Sequence, residues 1–160
     1  MAAISKAIAL RAEEIRKEAR GLTYEEILVS HRAYHLDRHV GKTDSELQAR
    51  LKEEDVFASS GFYGDGAEVA EMISDAILDE EFQTPECIAE WLEDYAEEDE
   101  MVVIKTYDRA IGRSFRRSRK HDWSNGGIEC DTIAVILQKV ERKYDFGWKV
   151  KTAYPESSEF

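Results

Sequence analysis

The chain has 160 residues, 42% of them apolar, and a formal net charge of −12. That is enough length and apolar content for one compact domain with its own core, and it excludes a disordered polar chain. No apolar run approaches the roughly 20 residues that span a bilayer, and the opening segment MAAISKAIALRAEEIRKEAR is interrupted by Arg11, Glu13 and Glu14, unlike a secretory leader. No membrane insertion is therefore expected of this segment, and any delivery out of a cell falls to something outside the sequence.

The charge is unevenly spread. Residues 1–52 carry 10 Lys+Arg against 8 Asp+Glu; residues 53–100 carry 18 acids and no Lys or Arg; residues 101–160 carry 12 bases and 8 acids. So dense an acidic block repels nucleic acid and suits a basic protein partner, or it keeps a helical face solvated; the flanking basic portions suit a phosphate chain. The two cysteines, Cys87 and Cys130, do not form a CxxC pair, so no metal framework follows from them, and the core must hold without a network of disulfides.

In chain order, Ile4, Ile8, Ala12, Ile15 and Ala19 recur at helical spacing, and Gly21 ends that helix. Thr23 with Glu26 forms a capping box that opens a second helix from about Tyr24 into the early thirties. Beyond Gly41, Thr43 with Glu46 opens a short helix through Leu47 and Leu51. Val56–Phe62 reads as a short extended piece. Asp65 caps a helix carrying Val69, Met72, Ile73, Ala76 and Ile77; Thr84 is expected to cap a further one, with Pro85 in its first position and Ile88, Trp91 and Leu92 facing inward. After Glu100 the period changes. Met101–Tyr107, Ile111–Phe115, Asp131–Val140 and Trp148–Tyr154 read as strands, with a turn at residues 144–147 and Pro155 closing the last. Helices first and strands last define an α+β domain, residues 1–160, with N-terminal helices packed on a C-terminal antiparallel sheet.

Three stretches carry chemistry: His35 to Leu51, the basic run Arg113 to His121, and Lys151-Thr152-Ala153-Tyr154-Pro155. Metal-free RNA cleavage needs a base for the ribose 2′-hydroxyl, which a neutral imidazole supplies, and a guanidinium for the charge gathering on phosphate. His39 and Arg50 near the front, with Thr152 and Tyr154 at the back, provide such a set. Thr152 and Tyr154 are two apart on a strand and so share a face. By spacing alone other readings stand: His39 as a helix-end residue satisfied by a backbone carbonyl, Arg50 as a four-residue partner of Glu46 or Glu54, Thr152 and Tyr154 as ordinary strand residues. His31, His35 and His39 recur every four residues, which invites a metal site on one helix face, although Gly41 argues that the helix fails nearby. The basic run, with Phe115 and Trp123 beside it, offers phosphate contacts and stacking surfaces, or else is a mobile solvated loop.

RHVGKTDSELQARL, ASSGF, AEVAEMISDAI, IAEWL and KTAYP, in that order and spacing, resemble the RNase A-like toxin domain of bacterial contact-dependent growth inhibition proteins. The resemblance spans residues 35–155, leaving residues 1–22 as an extra N-terminal helix. It implies a kidney-shaped fold like pancreatic ribonuclease without its disulfides, cleavage of RNA inside a target cell after delivery by a larger surface protein, and neutralisation by a cognate immunity protein. The expected product is a 2′,3′-cyclic phosphate, with no metal or cofactor, from a monomer or a toxin–immunity complex. By position it places the catalytic set on His39, Arg50, Thr152 and Tyr154, while His35, Lys42, Arg116, Arg117, Arg119 and Lys120 are the expected substrate contacts. This chain carries Gly61 within ASSGF where the family often runs ASTF or ASSF. The alternative to an enzyme is an inactive module on the same fold, holding RNA through the basic run or a protein through the acidic block.

Overall fold

A computed structural model describes residues 5–54, 56–94, 98–116, 127–141 and 146–158. Helix α1 (Lys6–Ala19) starts where the Ser5 hydroxyl accepts the Ile8 N–H, and α2 (Tyr24–Val29) starts on Thr23. The second helix stops at Val29, short of the expected extent. Arg32 takes a positive φ of 55°, and the chain resumes as a 3₁₀ turn, Tyr34–His39, with Leu36 fully buried beneath it. Gly41 (φ 70°) then redirects the backbone into α3 (Asp44–Glu53). The Thr43–Glu46 capping box is complete: Thr43 accepts the Glu46 N–H, and the Glu46 carboxylate accepts the Thr43 N–H.

Strand β1 (Ala58–Phe62) is followed by α4 (Gly66–Ile77), capped by Asp65 as expected, and by α5 (Thr84–Glu93). The cap of α5 is Gln83 in the left-handed region (φ 52°), not Thr84, which is already helical. The remaining strands are β2 (Glu100–Thr106), β3 (Gly112–Arg116), β4 (Ile128–Cys130), β5 (Thr132–Lys139) and β6 (Trp148–Glu156). Pro155 does not end the last strand; it pairs with Ile133, on an edge strand where a missing N–H is tolerated.

The strands form two antiparallel sheets, β1-β3-β4 and β2-β5-β6, where the sequence suggested one. The division is sharp: Cys130 pairs within the first sheet and Thr132, two residues on, within the second. The sheets meet where Gly112 faces Pro155. A Cβ on Gly112 would sit 2.5 Å from the Gly61 carbonyl oxygen and 2.8 Å from Pro155, so only glycine permits the approach.

The main core lies between the helices and one face of β2-β5-β6, built from Ile15, Ile27, Ile73, Ile77, Ile88, Val135, Leu137 and Trp148 among others. Helix α1 is part of it: Ala12, Ile15 and Ala19 are fully buried, and Trp148 donates to Glu18 at 2.9 Å. A smaller cluster of Leu47, Leu51 and Phe115 fixes α3 to the first sheet. Phe115 is therefore packing, not the stacking surface its neighbourhood suggested. Arg113, first of the basic run, is likewise structural. Its buried guanidinium donates to the carbonyls of Lys42, Gly61 and Phe62 and to Asp44, tying the start of α3 to β1. Gly61 itself pairs with Arg113 in an unbroken β1–β3 register, so its presence causes no bulge. Cys87 is exposed and Cys130 buried, both as free thiols.

Candidate functional site

His39 ends the 3₁₀ turn and reaches across to β1. Its Nδ1 lies 2.6 Å from the Ser60 carbonyl oxygen and 3.4 Å from the Ser60 hydroxyl. A carbonyl only accepts, so Nδ1 carries the proton and Nε2 keeps its lone pair. Burial is the largest cause that lowers the pKa of His39 from 6.5; the Ser60 carbonyl opposes it, while the nearby positive charges of Arg50, Arg38 and His35 add to the lowering. The imidazole is held neutral, in one tautomer, with its basic nitrogen available.

On the other side stands β6. A β-bulge interrupts the β5–β6 ladder: Thr152 pairs with Ile136 and Val150 with Leu137, leaving Lys151 unpaired. The alternation of faces advances by one residue across it. Buried positions are Trp148 and Val150 before the bulge, but Ala153 and Pro155 after it. Thr152 and Tyr154 thus turn away from the core; without the bulge the same sequence would send both inward. The Tyr154 ring comes to 6.1 Å from the His39 ring, centroid to centroid, at 46°. Burial raises the Tyr154 pKa above 10.0, so the phenol keeps its proton at neutral pH. The Thr152 hydroxyl is buried without a protein hydrogen-bond partner.

Arg50, late in α3, is close enough to His39 for its charge to depress the imidazole pKa. Its Nε donates to Glu54 at 3.1 Å, and Glu54 also pairs with Arg38 at 3.4 Å. Of the two acids four residues away, Glu54 is the partner; Glu46 is engaged in the capping box. Arg38, Lys42 and Arg50 line one groove of about 310 Å³ with Glu46, Glu53 and Glu54. His35 is exposed in the same 3₁₀ turn as His39. The site thus draws together His39, Arg50 and Tyr154, with Thr152 beside Tyr154 and the expected contacts His35 and Lys42 at its margin. Arg116 ends β3 opposite Ala58; by strand alternation it shares a face with Ser114 and with Ser60, the residue that anchors His39. Arg117, Arg119, Lys120 and Trp123 lie outside the described residues.

Two features escaped sequence reasoning. Ser60 gives no signal of its own within ASSGF, because the group it contributes is a backbone carbonyl that no residue type marks. The Arg38–Glu54–Arg50 bridge joins a 3₁₀ turn to the end of α3, a contact only tertiary structure creates. The three-histidine helix face does not exist. His31 lies beyond the end of α2, buried, where its Nδ1 accepts the Val150 N–H at 3.0 Å and its ring sits edge-on to Phe146 and Trp148. It is a core histidine in the tautomer opposite to that of His39. Among the described residues, no group of three or more His, Cys, Asp or Glu has a metal-holding arrangement.

A helical layer on one antiparallel sheet, a second sheet set against its last strand, and no disulfide define an α+β fold of the RNase A-like kind. The chain belongs to the family described as Bacterial CdiA-CT RNAse A domain, which matches residues 33–155. It is similar to a chain in the crystal structure of the CdiA-CT/CdiI complex from Y. kristensenii 33638, with a TM-score of 0.60 and 25% identity over 75% of this chain and 96% of that one. No curated protein matches the chain significantly.

Proposed function

We propose that this chain is the ribonuclease toxin domain of a contact-dependent growth inhibition system, cutting RNA by attack of the ribose 2′-hydroxyl on the adjacent phosphorus. The observation that carries the reading is the His39–Ser60 contact, which leaves a neutral imidazole nitrogen within reach of the Arg50 charge and with the Tyr154 ring 6.1 Å from its own. Nε2 of His39 takes the 2′-hydroxyl proton as the oxygen bonds to phosphorus. Arg50, its Nε held by Glu54, turns its remaining donors to the non-bridging oxygens as their charge grows. The bond to the 5′-oxygen then breaks, and a proton reaches that oxygen from Tyr154 or through it from water. Thr152, its hydroxyl lacking a protein partner, donates to the phosphate. The products are a 2′,3′-cyclic phosphate and a free 5′-hydroxyl.

Arg116 on the Ser60 face, with Lys42 and His35, carries the flanking phosphates in this reading, and Arg117, Arg119 and Lys120 extend that contact. The CdiA-CT/CdiI relative supports a cognate immunity protein as the second partner, and family membership supports delivery by a larger protein into a target cell. Among the described residues no helix is long and apolar enough to cross a membrane.

The test is product analysis with chelator present. The chain is expected to cut a short RNA to cyclic-phosphate ends and to leave intact an otherwise identical RNA carrying a 2′-deoxy sugar at the cleavage position. Cleavage of the deoxy substrate, or a requirement for added divalent metal, overturns the mechanism.

A further inference from the structure

Strand β2 lies at the edge of its sheet opposite β6, and among the described residues no strand pairs with its outer side. Two contacts fix which of its backbone groups are free. The Tyr107 N–H donates to the Asp131 carbonyl and the Lys139 N–H to the Asp99 carbonyl, each at 2.8 Å. In this antiparallel register the odd-numbered residues of β2 therefore bond to β5, so Glu100, Val102, Ile104 and Thr106 present N–H and C=O at the open edge. Natural edges are usually guarded by proline, a bulge, shortness or charged side chains, and of these β2 has only Glu100 and Lys105. This one runs Glu100–Thr106 in regular register without proline.

The open edge faces a groove. One part, about 500 Å³, runs from Thr106 to Met101 against Phe82, Thr84 and Cys87; a second, about 340 Å³, shares Met101 and Cys87 and continues to Glu90 and Asp94. Together they follow β2 along its length, with α5 as the opposite wall. Phe82 is 68% exposed at one end, and Val102 and Ile104 are each 54% exposed. Asp79 and Glu81 line one end and Glu90, Asp94 and Glu100 the other; Glu100 is already paired with Lys151 of β6, and Lys105 is the one cation among the described lining residues.

An open strand edge facing a helix is the geometry by which proteins take up an extended segment as an added strand. We propose that the β2–α5 groove docks an extended, basic segment of a partner protein, whose backbone pairs with Val102 and Ile104 and whose cations lie between Glu81 and Glu90. Charge decides the occupant. A second copy of this chain would set one acidic rim against another, and residues 53–100 contain no Lys or Arg to relieve it. The groove follows the sheet edge opposite β6, about 10 Å from it at ordinary strand spacing; Val102 and Ile104 share a sheet face with Thr152 and Tyr154 across Ile136 and Ala134, so peptide binding, not cleavage, is the readout that distinguishes the two. The proposal therefore stands or falls apart from the ribonuclease reading.

The probe is a labelled octapeptide of alternating lysine and valine, titrated into the full chain and followed by fluorescence anisotropy. Binding is expected to weaken at least about tenfold when alternate peptide amides are N-methylated, when glutamate replaces lysine, or when the chain carries Glu81→Gln with Glu90→Gln. Ile104→Pro, which removes an outward N–H and spares the β5 ladder, is expected to do the same. Bound peptide is also expected to slow alkylation of Cys87, the exposed thiol inside the groove. The N-methylated peptide tests the unaltered chain, so the outcome does not depend on any variant folding. Equal binding by the methylated or acidic peptide, or unchanged Cys87 reactivity at saturation, overturns the proposal. So does a dimer of the chain alone that Ile104→Pro dissolves, because the occupant would then be a second copy.

Discussion

The imidazole of His39 and the backbone carbonyl of Ser60 are joined by a hydrogen bond of 2.6 Å, from a 3₁₀ turn on one side to the middle of β1 on the other. The contact is that of a histidine held by a backbone carbonyl, and it leaves the other ring nitrogen open to the chemistry proposed for it. By occupying Nδ1 it leaves the Nε2 lone pair free for the proposed base, while burial and the charge of Arg50 lower the pKa of the ring.

This has a consequence for pH. The folded pKa of His39 lies below 6.5, so the unfolded chain binds a proton in acid that the native site resists. His39 therefore costs no stability above pH 6.5 and lowers it as the pH falls from there towards the folded pKa. An NMR titration of the His39 ring is expected to give a midpoint below 6.5, rising in Arg50→Gln as one opposing charge is removed. A midpoint at or above 6.5, unmoved by that change, contradicts the electrostatic account.

Thr152 offers a different test. Its hydroxyl is buried without a protein partner, so Thr152→Val removes an unsatisfied polar group at nearly constant volume. Unfolding free energy is expected to hold or rise by up to about 1 kcal/mol, while the cleavage rate falls on the order of tenfold. Lower stability with unchanged cleavage would make Thr152 structural.

The bulge in β6 predicts an unusual tolerance. Lys151 is the residue it takes up; deleting Lys151 leaves a regular ladder with Thr152 and Tyr154 still turned away from the core. Thermal unfolding should stay cooperative, with stability within about 1 kcal/mol of the parent and measurable cleavage. An unfolded deletion protein would show that the bulge itself is needed.

Gly112→Ala probes the junction of the two sheets. The added methyl would lie 2.5 Å from the Gly61 carbonyl oxygen and 2.8 Å from Pro155, and both neighbours are held in strands. A loss of about 1–3 kcal/mol in denaturant unfolding is expected. A neutral result would mean the sheets can part without cost.

Most elements were legible because local chemistry specifies them. Thr43 with Glu46 caps α3, Asp65 caps α4, and the β-branched run at residues 131–140 forms β5, largely buried. What was not legible depends on contacts distant in sequence. The break between the two sheets falls at Cys130-Asp131-Thr132, where nothing in residue type distinguishes pairing with β3 from pairing with β2. Strand β4 is three residues long, too short for a period to show. The bulge at Lys151 shifts facing by one residue, and only the partner strand reveals it. Thr152 and Tyr154 were rightly expected to share a face, but which face they share is set by that bulge. The helix that should have aligned three histidines ends at Val29, because packing of Leu36 and the turn at Arg32 override the local pattern.

His39 as the base of a nuclease requiring no metal is tested by cleavage of a defined RNA by the parent chain and by His39→Ala, with chelator present and folding checked by thermal melt. Robust cleavage by the parent is expected, with a loss of about 10²–10⁴-fold in the variant at unchanged fold. Full activity in a folded His39→Ala protein, or none in the parent until metal is restored, would contradict it.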